Sequence, residues 1–405
     1  MTLEATAAAV RAGELDPVAL VEQALQRAVD TAELNAVVHL DAEGARAAAR
    51  QHLTGPLAGI PVLVKEIIQV AGMPYRCGSA SMDGLATADA EVVLRLRAAG
   101  AVIIGLSHSH EFAYGCTGTS NRVGPCLNPH DQTRMTGGSS SGAAAAVAAG
   151  VVPLAIGTDT AGSVRMPAAL CGVVGFKASR HSLPVDGVFP LAQSLDQVGV
   201  LTNSVADAAY AIDVLSNSAT APLTQAPRLG VAGNPQYREI DVQVGEAWSR
   251  ALAKLETVEV ELPDWQATLR AGVDLQGPEA VANHMGRDIT QYQPDVQLRL
   301  REAAEVPAWR YVQARAAAAD LTEQLSELLH EVDAVLLPTV PIVAPLLDAA
   351  DVRPRLMQNT RLANLTGFPA ITLPLQTAGL PVGLQLIARD NQKAGAVAAW
   401  IEAQL

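Results

Sequence analysis

The sequence predicts an α/β fold, because apolar runs of strand length alternate with segments that repeat at helical spacing. Such alternation is typical of α-then-β units packed in layers. The chain has 405 residues, of which 49% are hydrophobic and 17% are charged, so it can bury a large core. No internal repeat and no linker rich in Gly, Pro or charge interrupts it, which predicts a single domain over residues 1–405.

The first helix and the first strand carry clear sequence signals. Asp16 and Pro17 predict a helix start, because Asp is a favoured N-cap residue and Pro fits the first helical position. Residues 57–64 form a short apolar run that predicts a buried strand, and Lys65 follows at its end. In the helix, apolar residues recur at helical spacing: Val18, Val21, Leu25 and Val29.

Further helices and strands follow in alternation. Asp89 predicts the N-cap of a helix, and residues 101–106 then predict a strand. An alanine-rich helix is expected after Gly138, followed by a turn and a strand that runs up to Asp159. The segment from about 235 to 330 is expected to be mainly helical, and a last helix ends the chain. Four more strands are expected at 228–232, 333–337, 370–375 and 382–388.

The charge balance excludes several classes of partner. The 28 Lys and Arg residues against 41 Asp and Glu give a formal net charge of −13. No nucleic-acid or membrane partner is therefore expected, since both need clustered basic residues. The four cysteines show no CxxC spacing, which predicts free thiols in a reducing cytoplasm and no structural zinc. The N-terminal residues lack a signal-peptide pattern, which also favours a cytoplasmic protein.

Residues 135–142 read Met-Thr-Gly-Gly-Ser-Ser-Ser-Gly and lead directly into the alanine-rich segment. One interpretation is a flexible loop tip. The other is a turn at a helix N-terminus, where free backbone N–H groups favour an anion or a catalytic site. A phosphate-binding P-loop is excluded, because no Lys-Ser or Lys-Thr pair follows. Small residues also crowd around Ser163 after an expected strand, which suits a nucleophile beside an oxyanion hole.

A nucleophilic serine needs a base, and Lys65 is the candidate that the pattern favours. No histidine lies in a recognisable triad context. A lysine at the end of an apolar strand either reaches solvent with its ammonium group or is a buried amine. Burial lowers the pKa of an amine, so that its neutral form can take a proton. Ser–Lys pairs are a known variant of the catalytic triad.

Together these segments resemble the amidase signature family over nearly the whole chain. The resemblance implies a large mixed, twisted sheet covered by helices on both faces. It also implies that residues 216–331 form a shortened, mainly helical region that covers the substrate. It rests on ordered motifs: GIPVLVKE at 59–66, AAGAVIIG at 98–105, EFAYG at 111–115, GGSSSG at 137–142, GTDTAGSVR at 157–165, SLDQVG at 194–199, LTGFPA at 365–370 and GLPVGLQLI at 379–387.

The resemblance also implies a role for particular residues. Ser163 would form the acyl-enzyme, Ser139 would bridge to it after a cis peptide bond with Gly138, and Lys65 would be the general base. Ala113 would line the substrate cleft. Neither a metal nor an organic cofactor is implied. The oxyanion would be bound by four backbone N–H groups, those of Thr160, Ala161, Gly162 and Ser163.

The chain departs from the family pattern at two places near this site. Ala161 stands where many relatives have Gly, so its N–H serves the oxyanion only if the backbone there does not need a positive φ. His108 and His110 lie in a stretch that differs from the usual one, which leaves the substrate preference open. Together with Glu111 these histidines suggest a metal site, but no third ligand motif appears, so no metal is expected.

Other polar residues near the motifs have two interpretations each. Arg165 either binds a substrate carboxylate or holds the turn around Ser163 together. Asp196 either hydrogen-bonds near the site or has a structural role. Cys116 and Cys171 are expected to fill the core rather than to act as catalytic thiols.

The sequence therefore predicts an amidohydrolase that cleaves a small-molecule carboxylic amide to an acid and ammonia or an amine. One alternative is an amidotransferase A-type glutaminase subunit that works with partner subunits. The second alternative is a non-catalytic small-molecule binder on an amidase scaffold. The acyl group stays open, and so does the oligomeric state, although family members often form a homodimer.

Overall fold

A mixed sheet of 11 strands runs through the molecule. The computed structural model describes all 405 residues. The strands are β1 (Val37–Leu40), β2 (Pro61–Lys65), β3 (Pro74–Tyr75), β4 (Gly84–Leu85), β5 (Val102–Ser107), β6 (Leu127–Asn128), β7 (Asp131–Met135), β8 (Leu154–Asp159), β9 (Val174–Lys177), β10 (Gln197–Thr202), β11 (Leu229–Ala232), β12 (Thr257–Val260), β13 (Ala334–Pro338), β14 (Ala370–Leu375) and β15 (Val382–Ala388). The α-helices are α1 (Leu3–Arg11), α2 (Pro17–Asp30), α3 (Ala42–Ala49), α4 (Glu91–Ala98), α5 (Ser141–Ala148), α6 (Arg165–Cys171), α7 (Val205–Ser216), α8 (Val242–Leu252), α9 (Trp265–His284), α10 (Pro294–Ala304), α11 (Ala308–Glu331), α12 (Arg353–Leu356), α13 (Arg361–Thr366) and α14 (Asn391–Gln404).

The strand order in this sheet is β1-β5-β2-β8-β10-β9-β14-β15-β13-β11-β12. β2 lies between β5 and β8 and runs parallel to both. From β8 through β13 each neighbouring pair is antiparallel, whereas β13, β11 and β12 are parallel. The predicted α/β class and the predicted mixed sheet are confirmed.

The residues of β2 show how helices cover both faces of the sheet. Val62 and Val64 belong to one apolar cluster, which includes residues of α1, α4, α7 and α14. Leu63 belongs to another, which includes residues of α2, α3 and α5. Because successive side chains of a strand point to opposite faces, the two clusters lie on opposite sides of the sheet. All five residues of β2 are buried, as expected for a parallel strand covered on both faces.

Several predicted elements are confirmed. Pro17 opens α2, and Asp16 caps it by accepting a hydrogen bond from the N–H of Val18 at 2.9 Å. The strands β14 and β15 have the predicted bounds. The strand β2 is shorter than predicted, since it begins at Pro61 and residues 57–59 form a turn.

The prediction that Asp89 caps the next helix was wrong. Ala90 is the N-cap residue of α4 and makes no side-chain capping hydrogen bond. The carboxylate of Asp89 instead accepts hydrogen bonds from the N–H of Ala71 at 2.8 Å and from Arg97 Nε at 2.9 Å. Asp89 therefore connects the turn at residues 71–72 to the end of α4 and does not cap the start of the helix.

The segment 216–331 contains the helices α8 to α11 and the strands β11 and β12, which extend the large sheet. None of the helices in the chain combines the length and the apolar character that crossing a membrane requires. The four cysteines are buried free thiols, as predicted.

Candidate active site

Lys65 ends β2 and is fully buried, so its amine lies inside the protein at the carboxyl end of the parallel strands. Three hydroxyl oxygens surround Lys65 Nζ: Ser139 Oγ at 2.7 Å, Ser140 Oγ at 3.0 Å and Thr158 Oγ1 at 2.8 Å. No carboxylate forms an ion pair with Lys65. The amine is therefore held by neutral groups that can stabilise either of its protonation states.

Burial lowers the pKa of Lys65 from 10.5 to about 7. The negative charges of Asp159, Asp196 and Glu66 act in the opposite direction but do not outweigh the loss of hydration. A large fraction of the Lys65 amine is thus neutral near pH 7. A neutral amine can accept a proton, which an ammonium group cannot do.

Ser139 lies in the Gly-Ser loop between β7 and α5, and it is fully buried. The peptide bond between Gly138 and Ser139 is cis, as the family resemblance implies. The carbonyl of Ser139 accepts a hydrogen bond from the N–H of His110 at 3.0 Å. The N–H of Ser140 donates to the carbonyl of Ser163 at 3.1 Å, so this loop contacts the turn that carries Ser163.

Ser163 lies in the tight turn between β8 and α6, and the carboxylate of Asp159 holds that turn. Asp159 accepts hydrogen bonds from the N–H groups of Gly162 at 2.8 Å and Val164 at 3.0 Å, and it pairs with Arg165 at 2.9 Å. Burial raises the pKa of Asp159, but the charge of Arg165 and the hydrogen bonds outweigh burial and hold that pKa below its usual range. The buried carboxylate therefore stays ionised and fixes the turn.

Three of the four N–H groups predicted to bind an oxyanion have no acceptor within the chain, and they are those of Thr160, Ala161 and Ser163. The N–H of Gly162 is different, because it is already donated to Asp159. Gly162 has a φ of +116°, and a side chain there would collide with Thr360, whose Oγ1 would lie 2.4 Å from the added Cβ. Ala161 has no positive φ, so the backbone there accepts alanine without strain.

Ser163 itself is 5% exposed. Its hydroxyl makes no hydrogen bond to any residue of the chain, and Ser139 Oγ is bound by Lys65 rather than by Ser163. The Lys65 amine thus lies next to the hydroxyl of Ser139, and the hydroxyl of Ser163 lies without a hydrogen-bond partner in the neighbouring turn. Such a site can activate a serine for attack on a carbonyl carbon.

Ala113 and the two histidines lie in the segment that follows β5. Ala113 is 3% exposed, and its N–H binds the carbonyl of His110, whose own N–H binds Ser139. Both ring nitrogens of His108 have partners, Ser141 Oγ at 2.8 Å and the carbonyl of Gly124 at 2.9 Å. Burial lowers the pKa of His108 to about 4, so its ring is neutral at pH 7.

His110 binds Asp295 at 3.1 Å through Nε2. No group of three His, Cys, Asp or Glu side chains is arranged to hold a metal ion. The contacts of Asp196 fit both of its interpretations: its carboxylate accepts a hydrogen bond from Thr160 Oγ1 at 2.6 Å next to the site, and it also accepts from the N–H groups of Leu191 and Ala192, which holds that loop. Burial raises the pKa of Asp196 to about 6.

Comparison with known proteins decides the family. The family model described as Amidase matches residues 19–395. The chain belongs to the amidase family. It is 34% identical to 2-amino-5-chloromuconic acid deaminase of Comamonas testosteroni, over 97% of this chain and 93% of that protein. It is 35% identical to a glutamyl-tRNA(Gln) amidotransferase subunit of Deinococcus deserti, over 96% of this chain and 92% of that protein.

A solved structure supports the same conclusion. The crystal structure of an amidase superposes on this amidase-family chain with a TM-score of 0.94 at 33% identity, and the match covers 100% of both chains. The predicted amidase-signature fold is therefore confirmed. The alignments with the deaminase and with the amidotransferase subunit span 431 and 456 positions, so these relatives carry insertions relative to the 405 residues of this chain.

Sequence reasoning missed several residues of the site. Thr158 and Ser140 complete the surroundings of Lys65 Nζ. Thr360 donates its hydroxyl proton to the carbonyl of Ala161 at 2.6 Å, and Asn364 Nδ2 donates to the carbonyl of Asp159 at 2.8 Å. Thr158 and Ser140 could have been found from the sequence, because they lie within the motifs GTDTAGSVR at 157–165 and GGSSSG at 137–142. No local signal pointed to Thr360 or Asn364, which come from a distant part of the chain.

Replacing Asp159 with Asn is expected to lower the free energy of unfolding by about 3–5 kcal/mol, because it leaves the buried charge of Arg165 without a counter-ion. Urea unfolding followed by circular dichroism would measure this change. Asp83→Asn is a matched control, since Asp83 is 71% exposed in its ion pair with Arg76. Equal losses in the two variants would contradict a special role of Asp159 in holding the turn.

Proposed function

We propose that the chain hydrolyses a carboxylic amide to an acid and ammonia or an amine through an acyl-enzyme on Ser163. The observation that carries this proposal is the buried, partly neutral amine of Lys65 at 2.7 Å from Ser139 Oγ. The loop of Ser139 in turn contacts the turn of Ser163 through the hydrogen bond from Ser140. Membership in the amidase family supports the reaction class.

In the first step Lys65 Nζ takes the proton of Ser139 while Ser139 Oγ takes the proton of Ser163. The oxygen of Ser163 then attacks the carbonyl carbon of the amide. This step requires a hydrogen bond between the two serine hydroxyls. The Ser163 hydroxyl, which has no partner in the chain, must therefore turn toward Ser139 when substrate binds. Catalytic hydrogen bonds often tighten in this way only in the complex.

The attack places a negative charge on the former carbonyl oxygen. The free N–H groups of Thr160, Ala161 and Ser163 stabilise that oxygen. In enzymes that use such donors, the loss of one costs about 2.7–4 kcal/mol of transition-state stabilisation. The N–H of Gly162 takes no direct part, because its bond to Asp159 keeps the turn in shape.

The tetrahedral intermediate then collapses. The proton held by Lys65 returns through Ser139 to the leaving nitrogen, the C–N bond breaks, and ammonia or an amine departs. A water molecule then gives a proton through Ser139 to Lys65 while its oxygen attacks the ester carbon. Lys65 returns that proton through Ser139 to the oxygen of Ser163 as the ester bond breaks and the acid departs. Every proton in these steps moves between side chains of this chain, the substrate and water.

A second candidate function is that of an amidotransferase component, because the chain is 35% identical to a glutamyl-tRNA(Gln) amidotransferase subunit of Deinococcus deserti. In that case the same serine chemistry would release ammonia for a partner protein. Size-exclusion chromatography of the tagged chain from its native cells separates the candidates. A stable complex with two partner proteins favours the amidotransferase, and a free enzyme with its own hydrolase activity favours the amidohydrolase.

A fluorophosphonate probe tests the proposed acyl-enzyme. We expect the folded protein to be labelled once, and we expect peptide mass spectrometry to locate the label on Ser163. The Ser163→Ala variant should not be labelled, whereas Ser249→Ala, which changes an exposed serine of α8, should react like the original protein. Failure to label the folded chain, with no ammonia released from a panel of amides, would instead support a non-catalytic binder.

A further inference from the structure

Three arginines line a small cavity between α9, α10, α12 and α13. The cavity has a volume of about 110 Å³, large enough for several water molecules or a small charged group. We call it the arginine cavity. Its polar lining residues are Tyr114, Gln276, Arg299, Glu302, Arg353 and Arg361.

Two of these arginines have no negatively charged partner. Arg299 is paired with Asp295 at 2.7 Å, but neither Arg353 nor Arg361 forms an ion pair. The guanidinium of Arg353 makes no hydrogen bond at all, and its Nε is buried. Glu302, the acidic residue of the lining, is exposed and pairs with none of the three.

Arg361 is more deeply buried than Arg353: 5% of the surface of Arg361 is exposed, whereas Arg353 is half-buried. Its contacts are weak ones, to Gln276 Oε1 at 3.5 Å and to Met357 Sδ at 3.9 Å. Burial lowers the pKa of Arg361 to about 10, and burial together with the charge of Arg299 also lowers the pKa of Arg353. Two positive charges, one half-buried and one buried, thus lie side by side with no carboxylate paired to either, which is costly unless a further negative group binds there.

The arginine cavity is connected to the proposed oxyanion site by short contacts. Arg361 follows Thr360, whose hydroxyl binds the carbonyl of Ala161 at 2.6 Å. On the opposite side, Arg299 Nη1 donates to the carbonyl of Tyr114. Two residues later, Cys116 lies in the same apolar cluster as Ala161. The cavity is therefore linked to the turn that carries Ser163 through two residues that neighbour its lining, Thr360 next to Arg361 and Cys116 close to Tyr114.

The other arginine of the site is excluded as the anion-binding residue. Arg165 is fully buried, and all of its nitrogens are engaged by the chain. It binds both oxygens of Asp159, the carbonyl of Thr360 at 3.0 Å and Asn364 Oδ1 at 2.7 Å. The structural interpretation of Arg165 thus holds, and Arg353 and Arg361 are the arginines left free.

We propose that the arginine cavity binds a carboxylate of the substrate, so that the enzyme acts on amides that carry a negative charge, such as monoamides of dicarboxylic acids. This rests on the proposed amide hydrolysis. A planar guanidinium matches a carboxylate with two parallel hydrogen bonds, which gives both affinity and orientation. The carboxylate in the cavity would hold the amide carbonyl at Ser163.

The first test measures binding without catalysis. Isothermal titration calorimetry of the Ser163→Ala protein with malonate, succinate, glutarate and adipate should find at least one diacid that binds, while the matching diamide should not. Arg353→Gln in the same background should raise the Kd of that diacid about 100-fold. Arg238→Gln is the control, because Arg238 forms an exposed ion pair with Glu259. Absence of binding by all four diacids would overturn the inference.

The second test is kinetic and separates this inference from the proposed function. The monoamide of the best diacid is compared with a neutral alkyl amide of the same length. Arg353→Gln should lower the ratio of their kcat/KM values about 100-fold, mainly through KM, and Arg353→Lys should restore part of it. Turnover of both amides with an unchanged ratio would overturn the inference and leave the hydrolase intact. Diacid binding that depends on Arg353, without turnover of any amide, would sustain the anion site and refute the hydrolase.

Thermal unfolding checks that Arg353 is not a structural residue. Its guanidinium has no partner in the chain, so Arg353→Gln should leave Tm unchanged or raise it in the absence of the diacid. The added diacid should raise the Tm of the Ser163→Ala protein but not that of the double variant. A large fall in Tm on Arg353→Gln alone would count against the inference.

Discussion

Replacing Ser163 with alanine is expected to lower kcat/KM for amide hydrolysis by about 10⁴-fold or more, because the variant lacks the oxygen that forms the acyl-enzyme. Residual activity from the oxyanion donors alone is small in comparable serine enzymes. The Ser163 hydroxyl makes no hydrogen bond within the chain, and Ser139 Oγ is bound by Lys65. Removing the Ser163 hydroxyl should therefore leave the fold undisturbed. Ammonia release, followed with a coupled glutamate dehydrogenase assay, would measure the effect.

The control for this variant is Ser249→Ala, which should retain full activity. Circular dichroism should show the same Tm for Ser163→Ala as for the original protein. If Ser163→Ala kept more than a few per cent of the activity, the acyl-enzyme would have to form elsewhere. The assignment of Ser163 would then be wrong.

Replacing Lys65 with alanine is expected to lower kcat/KM by about 10³-fold or more, because it removes the base that takes the proton of Ser139. General bases contribute about 10²- to 10⁴-fold on their own, and residues that act as one unit lose nearly everything together. Lys254→Ala is the control, since Lys254 lies at the surface and binds the carbonyl of Leu405. Fluorophosphonate labelling of Ser163 should slow by a similar factor in Lys65→Ala.

The same lysine sets the pH profile that we expect. Lys65 has a pKa of about 7, and its protonated form cannot accept a proton. The value of kcat/KM should therefore fall about tenfold per pH unit below pH 7 and level off above it. Asp196, with its pKa raised to about 6, becomes protonated below pH 6 and then holds Thr160 less firmly, which steepens the loss. A flat profile from pH 8 down to pH 5 would be incompatible with Lys65 as the base.

The sequence located the elements that carry the site, because their signals are local. The apolar run that ends at Lys65, the Gly-Ser loop and the small residues around Ser163 each lie within one short segment. Their convergence followed only from the family resemblance, since Lys65 and Ser139 are 74 residues apart. Periodicity was a weaker guide, as Val29 shows, because it continues the apolar spacing of α2 but is 61% exposed.

Contacts between distant segments could not be predicted in this way. Asp159 and Asn364 are 205 residues apart, and no local pattern links them. The strands β9 and β10 were missed because glycine, lysine and glutamine dilute their apolar character. The arginine cavity depends on the packing of α10, α12 and α13 around Tyr114, which only three-dimensional coordinates reveal.

The contacts of Arg165 have a consequence for the order in which the protein matures. Arg165 and its turn are held by Thr360, Asn364 and Gln385, all near the C-terminal end of the sequence. A nascent chain on the ribosome already contains the proposed nucleophile and base long before these anchors are synthesised. The turn around Ser163 therefore reaches its full set of contacts only after the last part of the chain has been synthesised, and a copy that ends before Thr360 lacks these three partners of Arg165.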